Sequence, residues 1–318
     1  YYSGKRPFVL MQNAYFETLY RGGYAISVFQ STYMDFCRQS PVPIRSCTTY
    51  RYDGTDWLFS DAVSGSDKHD VLLGMYLNQP GMLEALWQLY DALRSTASAI
   101  GVTLPELLSW DGRVVPLAAV SVLPQLHAAL EDAPPGSAFF AHLLLPHSPY
   151  AYAAGCRLRE RPLNWLSHRP RNARSNDSVE RSIRLEQYSE QARCTLSALR
   201  PIMDMLKTSP RWASTQVIMH GDHGTRLFLT EPRSENVGRF QRSDLLDGFG
   251  TLFAARHVRH GPYPREGMDR ALPLSTLLRL ISGAPGEPTA TAGPLVYLES
   301  ANSEFWSAVR WPDMTEKQ

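Results

Sequence analysis

The run Gly-Gly-Tyr-Ala-Ile-Ser-Val-Phe-Gln-Ser at 22–31 sets β-formers behind a glycine pair and predicts a strand. Residues 35–66, with Pro, Cys, Asp and Gly, read as loop. Over 71–98 the spacing of Leu83, Leu86, Leu89 and Leu93 predicts helix, broken near Pro80. A further helix in VSVLPQLHAALEDAPPG stops at Pro134, Pro135 and Gly136. SAFFAHLLLPHSPY (137–150) is a continuous apolar run ended by Pro146, the pattern of a strand buried on both faces. From Val179 to Leu206 the stripe Leu185, Tyr188, Ala192, Leu196 and Leu199 predicts another helix. STQVIMH (214–220) is the next buried strand, and SDLLDGFGTLFAAR (243–256) reads as a turn entering a strand. LPLSTLLRLISG (272–283) predicts a helix with a glycine stop, and PLVYLES (294–300) a final strand. Strands alternating with helices define an α/β fold with a largely parallel sheet.

Composition narrows the function classes. The 318 residues are 43% hydrophobic and 20% charged, an ordinary globular balance that supplies one large or two modest cores. A net charge of +1 argues against a polyanion-binding surface over the whole molecule, and nucleic acid is not an expected partner. The most apolar stretch, VVPLAAVSVLP (114–124), contains two prolines and falls short of the roughly 18 apolar residues of a membrane span. The chain opens at YYSGKRPFVLMQ with neither an initiator Met nor a signal peptide, and is expected to be a piece of a longer protein.

Two local features add to this. Residues 157–184 carry eight arginines, three acids and no lysine, a basic insertion that is either a solvated loop or a surface for anionic substrates or lipid head groups. Cys37 and Cys47 flank the Pro-rich RQSPVPIRS, while Cys156 follows one predicted strand and Cys194 lies in the next predicted helix. The absence of CxxC argues against a zinc ribbon. Four buried thiols, or two disulfides made in an oxidising compartment, both fit these positions.

Open α/β sheets build their sites outside the carboxyl ends of the strands. One predicted strand there runs into Leu-Pro-His-Ser-Pro-Tyr with His147; another runs into His-Gly-Asp-His-Gly with Asp222 and His223. Asp and His both ligate borderline divalent cations, and the flanking Gly221 and Gly224 allow a sharp turn and close backbone approach. Convergence of the three side chains at one rim is the expectation. The competing reading makes Asp222 a helix cap and His223 a satisfied partner. No GxSxG, GxGxxG, Walker A or HEXXH motif is present. Cys47-Thr48-Thr49-Tyr50-Arg51 departs from the sulfatase Cys-x-Pro-x-Arg signature at Thr49, and a disulfide explains Cys47 better. Asp61, Asp67, His69 and Asp70 read as surface loop.

HGDHGTR resembles the Asp-His-Gly signature of the alkaline phosphatase superfamily in its sulfatase-like branch. AHLLLPHSPY is similar to the strand-then-His-Pro-Tyr segment of the same branch, which includes lipoteichoic acid synthases, phosphoethanolamine transferases and bacterial sulfatase-like membrane proteins. The order of segments agrees over most of residues 20–260. The resemblance implies a three-layer αβα domain over 1–318 with a largely parallel central sheet, the basic insertion 157–184 lying within it. It implies a metal-dependent hydrolase or transferase of phosphate or sulfate esters, acting through a Thr or Ser nucleophile. That nucleophile and an acidic metal ligand are expected upstream of Tyr1, so the fragment alone is expected to be inactive or to bind metal poorly. Asp222 and His223 would ligate one divalent ion (Mn, Zn or Ca). His147 would hold substrate oxygens or the leaving group, and Arg226 would pair with a phosphate or orient the turn; His220 has no assigned role. The implied location is the periplasmic or cell-surface side of a membrane-anchored bacterial protein, held by a segment outside this chain, with lipid- or glycan-linked substrates. An oxidising location fits the cysteine pairs, Cys156–Cys194 foremost. The alternative is a non-catalytic sulfatase-like protein that binds an anionic glycan or lipid through its arginines.

Overall fold

The computed structural model describes residues 8–9, 13–51, 56–59, 63–77, 84–102, 104, 108–110, 114–159, 167–170, 178–239, 241–256, 277, 295–299 and 306–310. Contacts divide the chain into two compact units, Tyr1–Asn172 with Gln187–Lys207, and Ala173–Glu186 with Thr208–Gln318.

In the first unit the elements begin with β1 (Phe8–Val9), α1 (Ala14–Arg21), β2 (Ala25–Ser31), β3 (Met34–Asp35) and β4 (Ile44–Tyr50). They continue with α2 (Gly65–Leu77), α3 (Glu84–Ala99), β5 (Leu108–Trp110), α4 (Val115–Ser121), α5 (Leu123–Glu131), β6 (Ser137–Ala141) and β7 (Ser167–Pro170). Next comes α6 (Ser178–Thr208), of which Gln187–Lys207 belongs to this unit. Strands β4, β2 and β6 form a three-stranded parallel sheet in that order, with Val28 opposite both Cys47 and Phe140.

The middle strand β2 has both faces covered, as parallel strands require. Ile26 and Val28 pack with Phe16 of α1, Phe36 and Val42. Phe29 points the other way, into Ala118, Ala119, Leu123 and Leu126 of α4 and α5 and Ile202 of α6. The unit is therefore mixed α/β, with helices on both faces of a parallel sheet. Asn13 starts α1 by accepting from Phe16 N at 3.1 Å. Gly136, at φ 77°, ends the connection from α5 into β6.

Several expectations shift. Part of the expected 35–66 loop is the strand β4, whose IRSCTTY sequence lacks the apolar run of a buried strand because most of its side chains are exposed at the sheet edge. Asp67, His69 and Asp70 sit on α2, not in a loop. The α6 stripe is rotated from the expected one: Leu196 is exposed, while Gln191, Cys194 and Ile202 are buried. Both disulfides form, Cys37–Cys47 and Cys156–Cys194, and no free cysteine remains. They suit an oxidising, extracytoplasmic compartment. Among the described residues no helix is long and apolar enough to cross a membrane.

In the second unit, β8 (Val217–His220) pairs antiparallel with β9 (Phe253–Arg256), His220 opposite Phe253. Between them lies α7 (Arg242–Phe249), a helix where the sequence suggested a turn. β10 (Leu295–Glu299) and β11 (Trp306–Arg310) form an antiparallel pair. The antiparallel pairing of β8 departs from the expected parallel arrangement. The helix expected over 272–283 lies outside the described residues except at position 277.

Candidate functional site

Strand β8 delivers the chain into Gly221-Asp222-His223-Gly224, and this turn is laid against the segment that leaves α7. Gly221 N donates to Leu252 O at 3.0 Å, Gly224 N to Gly248 O at 3.2 Å and Arg226 N to Asp247 O at 2.7 Å. Both glycines are required by that approach. A β-carbon on Gly224 would lie 2.4 Å from Asp247 O, and one on Gly221 would lie 2.1 Å from Thr251 Oγ1. Close approach of a ligand is the expectation for these glycines; Gly224 instead admits the chain's own backbone and Gly221 the Thr251 side chain.

His223 Nδ1 lies 2.6 Å from Gly224 O. A carbonyl only accepts, so Nδ1 carries the hydrogen and Nε2 keeps the lone pair, the tautomer that a ligating imidazole needs. Nε2 stands 3.8 Å from Asp222 Oδ1, too far for a hydrogen bond between them. The Asp222 side chain is 78% exposed and that of His223 30% exposed, so both are accessible from solvent. An imidazole nitrogen and a carboxylate oxygen are the donor types that Zn or Mn takes. The pair therefore fits a divalent ion as two of its ligands. Among the described residues no cluster of three or more His, Cys, Asp and Glu side chains is close enough to hold one.

Among the described residues Asp222 caps no helix. That work falls to Asp244, fully buried on α7, which accepts from Leu229 N at 2.6 Å, Thr230 N at 3.3 Å and Gln241 N at 2.9 Å. Asp244 thus fixes both the start of α7 and the loop that follows the turn. Arg181 pairs with Asp247 and donates from Nε to Leu227 O at 2.7 Å, holding the same loop from the first turns of α6. Arg226 is exposed and left-handed at φ 56°, an uncommon backbone for a residue with a β-carbon. His220 donates from Nδ1 to Gly221 O at 3.0 Å and stacks on Phe253.

His147 belongs to the first unit, and Asp222, His223 and Arg226 to the second. The strand that leads to His147 ends at Ala141, four residues short of the last apolar residue before Pro146. His142 N still bonds to Phe29 O at 2.8 Å, but the Tyr50 hydroxyl then captures the next groups. It donates to His142 O at 3.1 Å and accepts from Leu144 N at 3.0 Å, diverting the backbone from the sheet. Pro146 and Pro149 have no N–H to rejoin it. The His147 side chain is exposed at the tip of this loop, and its Nδ1 donates to Ser148 O. In the basic insertion, Arg159, Arg181 and Arg184 pair with Glu190, Asp247 and Glu180.

No protein-family model, no curated protein and no solved structure matches this chain.

Proposed function

We propose that this chain is the metal-binding portion of a sulfatase-like, alkaline phosphatase-like hydrolase or transferase that acts on phosphate or sulfate esters outside the cytoplasm, in a membrane-anchored protein. The observation that carries this reading is the Asp222–His223 pair. One imidazole has its Nδ1–H committed to its own turn, and its Nε2 lies 3.8 Å from an exposed carboxylate. Asp222 and His223 would hold one divalent ion, which would supply Lewis-acid polarisation of the ester oxygens and activate a hydroxyl nucleophile. His147 would hold the substrate oxygens or the leaving group. Arg226 presents a guanidinium from a backbone fixed by its N–H to Asp247 O, which suits bidentate pairing with a phosphate. The alternative of glycan or lipid binding through the arginine-rich stretch would rest on arginines other than Arg159, Arg181 and Arg184, which are paired with acids.

The test is metal content together with cleavage of a nitrophenyl phosphodiester and a nitrocatechol sulfate by the full-length protein, with and without chelator. Stoichiometric metal and chelator-sensitive turnover are expected. Asp222→Ala and His223→Ala should each lose the metal while keeping the fold, because neither side chain is in the core. Unchanged metal content in both variants overturns the assignment.

A further inference from the structure

His147 is exposed, yet the backbone beneath it is held by a buried polar residue. Gln191 on α6 has no solvent exposure. Its Nε2 donates to His147 O at 2.6 Å, and its Oε1 accepts from Tyr152 N at 3.2 Å. A buried amide that makes both kinds of bond to one loop carries a strong geometric demand, because either bond lost leaves a buried group unsatisfied. The same stretch of helix grips the loop elsewhere. Tyr188 meets Tyr150 edge-on at 5.9 Å between centroids, Glu190 pairs with Arg159, and Cys194 is bonded to Cys156. Arg159 in turn donates from Nε to Tyr150 O at 3.0 Å.

From this we infer that Gln191 is the positioning residue of His147. The chain of bonds runs from Gln191 to His147 O, and from the His147 ring to Ser148 O. His147 O belongs to the His147–Ser148 peptide and Ser148 O to the next one, Ser148–Pro149; Gln191 ties the first to the helix and, through Tyr152 N, holds the loop beyond the second. By holding the loop on both sides of Ser148 O, the amide restrains the carbonyl that selects the Nδ1–H tautomer, and with it which ring nitrogen carries the hydrogen. The functional consequence rests on the role proposed above for His147; the tautomer itself does not.

The experiment is nitrogen NMR of the full chain labelled at histidine, with the His147 signal assigned by its loss in His147→Gln. The wild type should show the Nδ1–H tautomer at neutral His147, and Gln191→Met should move it toward the Nε2–H form that an unrestrained imidazole favours. Ile26→Ala, equally buried but on the opposite face of the sheet among Phe16, Phe36 and Val42, should leave the tautomer unchanged. Should Gln191→Met fail to fold, Gln191→Glu in alkaline buffer keeps the acceptor for Tyr152 N and loses the donor to His147 O. It should give the same shift. An Nε2–H tautomer in the wild type, no change in the Gln191 variant, or an equal change in Ile26→Ala overturns the inference. A wild-type protein without ester cleavage would remove the proposed function and leave this measurement standing.

Discussion

A β-carbon at Gly224 would meet backbone on every side, with Asp247 O at 2.4 Å and Gly250 O at 2.7 Å. At Gly221 the obstacle is one side-chain atom, Thr251 Oγ1 at 2.1 Å. The two substitutions should therefore behave differently. Gly224→Ala forces α7 away from the turn and should destabilise by about 1–3 kcal/mol, the range for overpacking, with no single compensating change. Gly221→Ala should cost less, and Thr251→Ala should cancel most of that loss. A double-mutant cycle in urea reads the coupling; additive losses at positions 221 and 251 would contradict the clash. At this scale Asp222, His223 and His147 stand out in the sequence as candidates because they form local patterns beside glycines and prolines. Arg181, Gln191 and Asp247 were not, because their partners lie 46, 44 and 66 residues away along the chain. Asp244 left a weak signal, an acid three residues past Gln241 at the start of a helix.

At the level of elements, legibility followed burial. β2 announced itself because both of its faces are covered, so its sequence is apolar nearly throughout. β4 was silent because an edge strand needs apolar residues only where it touches the core, and here Ile44 and Tyr50 do most of that work. What fixes β4 beyond its ladder is the disulfide from Cys47 to Cys37, which ties it to the loop after β3. The second disulfide ties the His147 loop to α6. The two close loops of 10 and 38 residues. On chain entropy these correspond to about 3 and about 4 kcal/mol. Cys156→Ser with Cys194→Ser should therefore lower stability more than Cys37→Ser with Cys47→Ser, each measured from urea midpoints under non-reducing conditions. The reverse order would show that strain or residual structure, not loop closure, governs their contributions.

For the molecule as a whole, pH separates the groups that carry charge from those that must stay neutral. Asp35 is of the first kind. Burial opposes its ionisation, but bonds from Arg38 N, the Gln30 amide and Cys37 N outweigh it and hold the carboxyl below its ordinary range. Its contribution is present above the ordinary carboxylate range and fades as pH falls through the lowered value. Tyr50 and Tyr152 are of the second kind, and both belong to the first unit. Burial pushes Tyr50 up to about 12 and raises Tyr152 as well. A tyrosine is neutral when protonated, so a raised value means that the folded state holds the proton more tightly than the unfolded chain. Their contribution is complete below about pH 10, the ordinary tyrosine value, and is lost as pH climbs through the folded-state values. For Tyr50 the interval from about 10 to about 12 corresponds to on the order of 3 kcal/mol. Tyr50→Phe isolates that share. Near neutral pH it leaves His142 O and Leu144 N without the hydroxyl that joins them, and should cost about 1–3 kcal/mol. In strongly alkaline buffer the wild type loses the same hydroxyl proton on unfolding, and the deficit should shrink toward zero. Urea midpoints of both proteins at neutral pH and near about pH 11 measure it, with phenolate absorbance reporting ionisation. A deficit that is constant across this range would mean that the Tyr50 hydroxyl ionises equally in both states, and that burial at the end of β4 does not protect its proton.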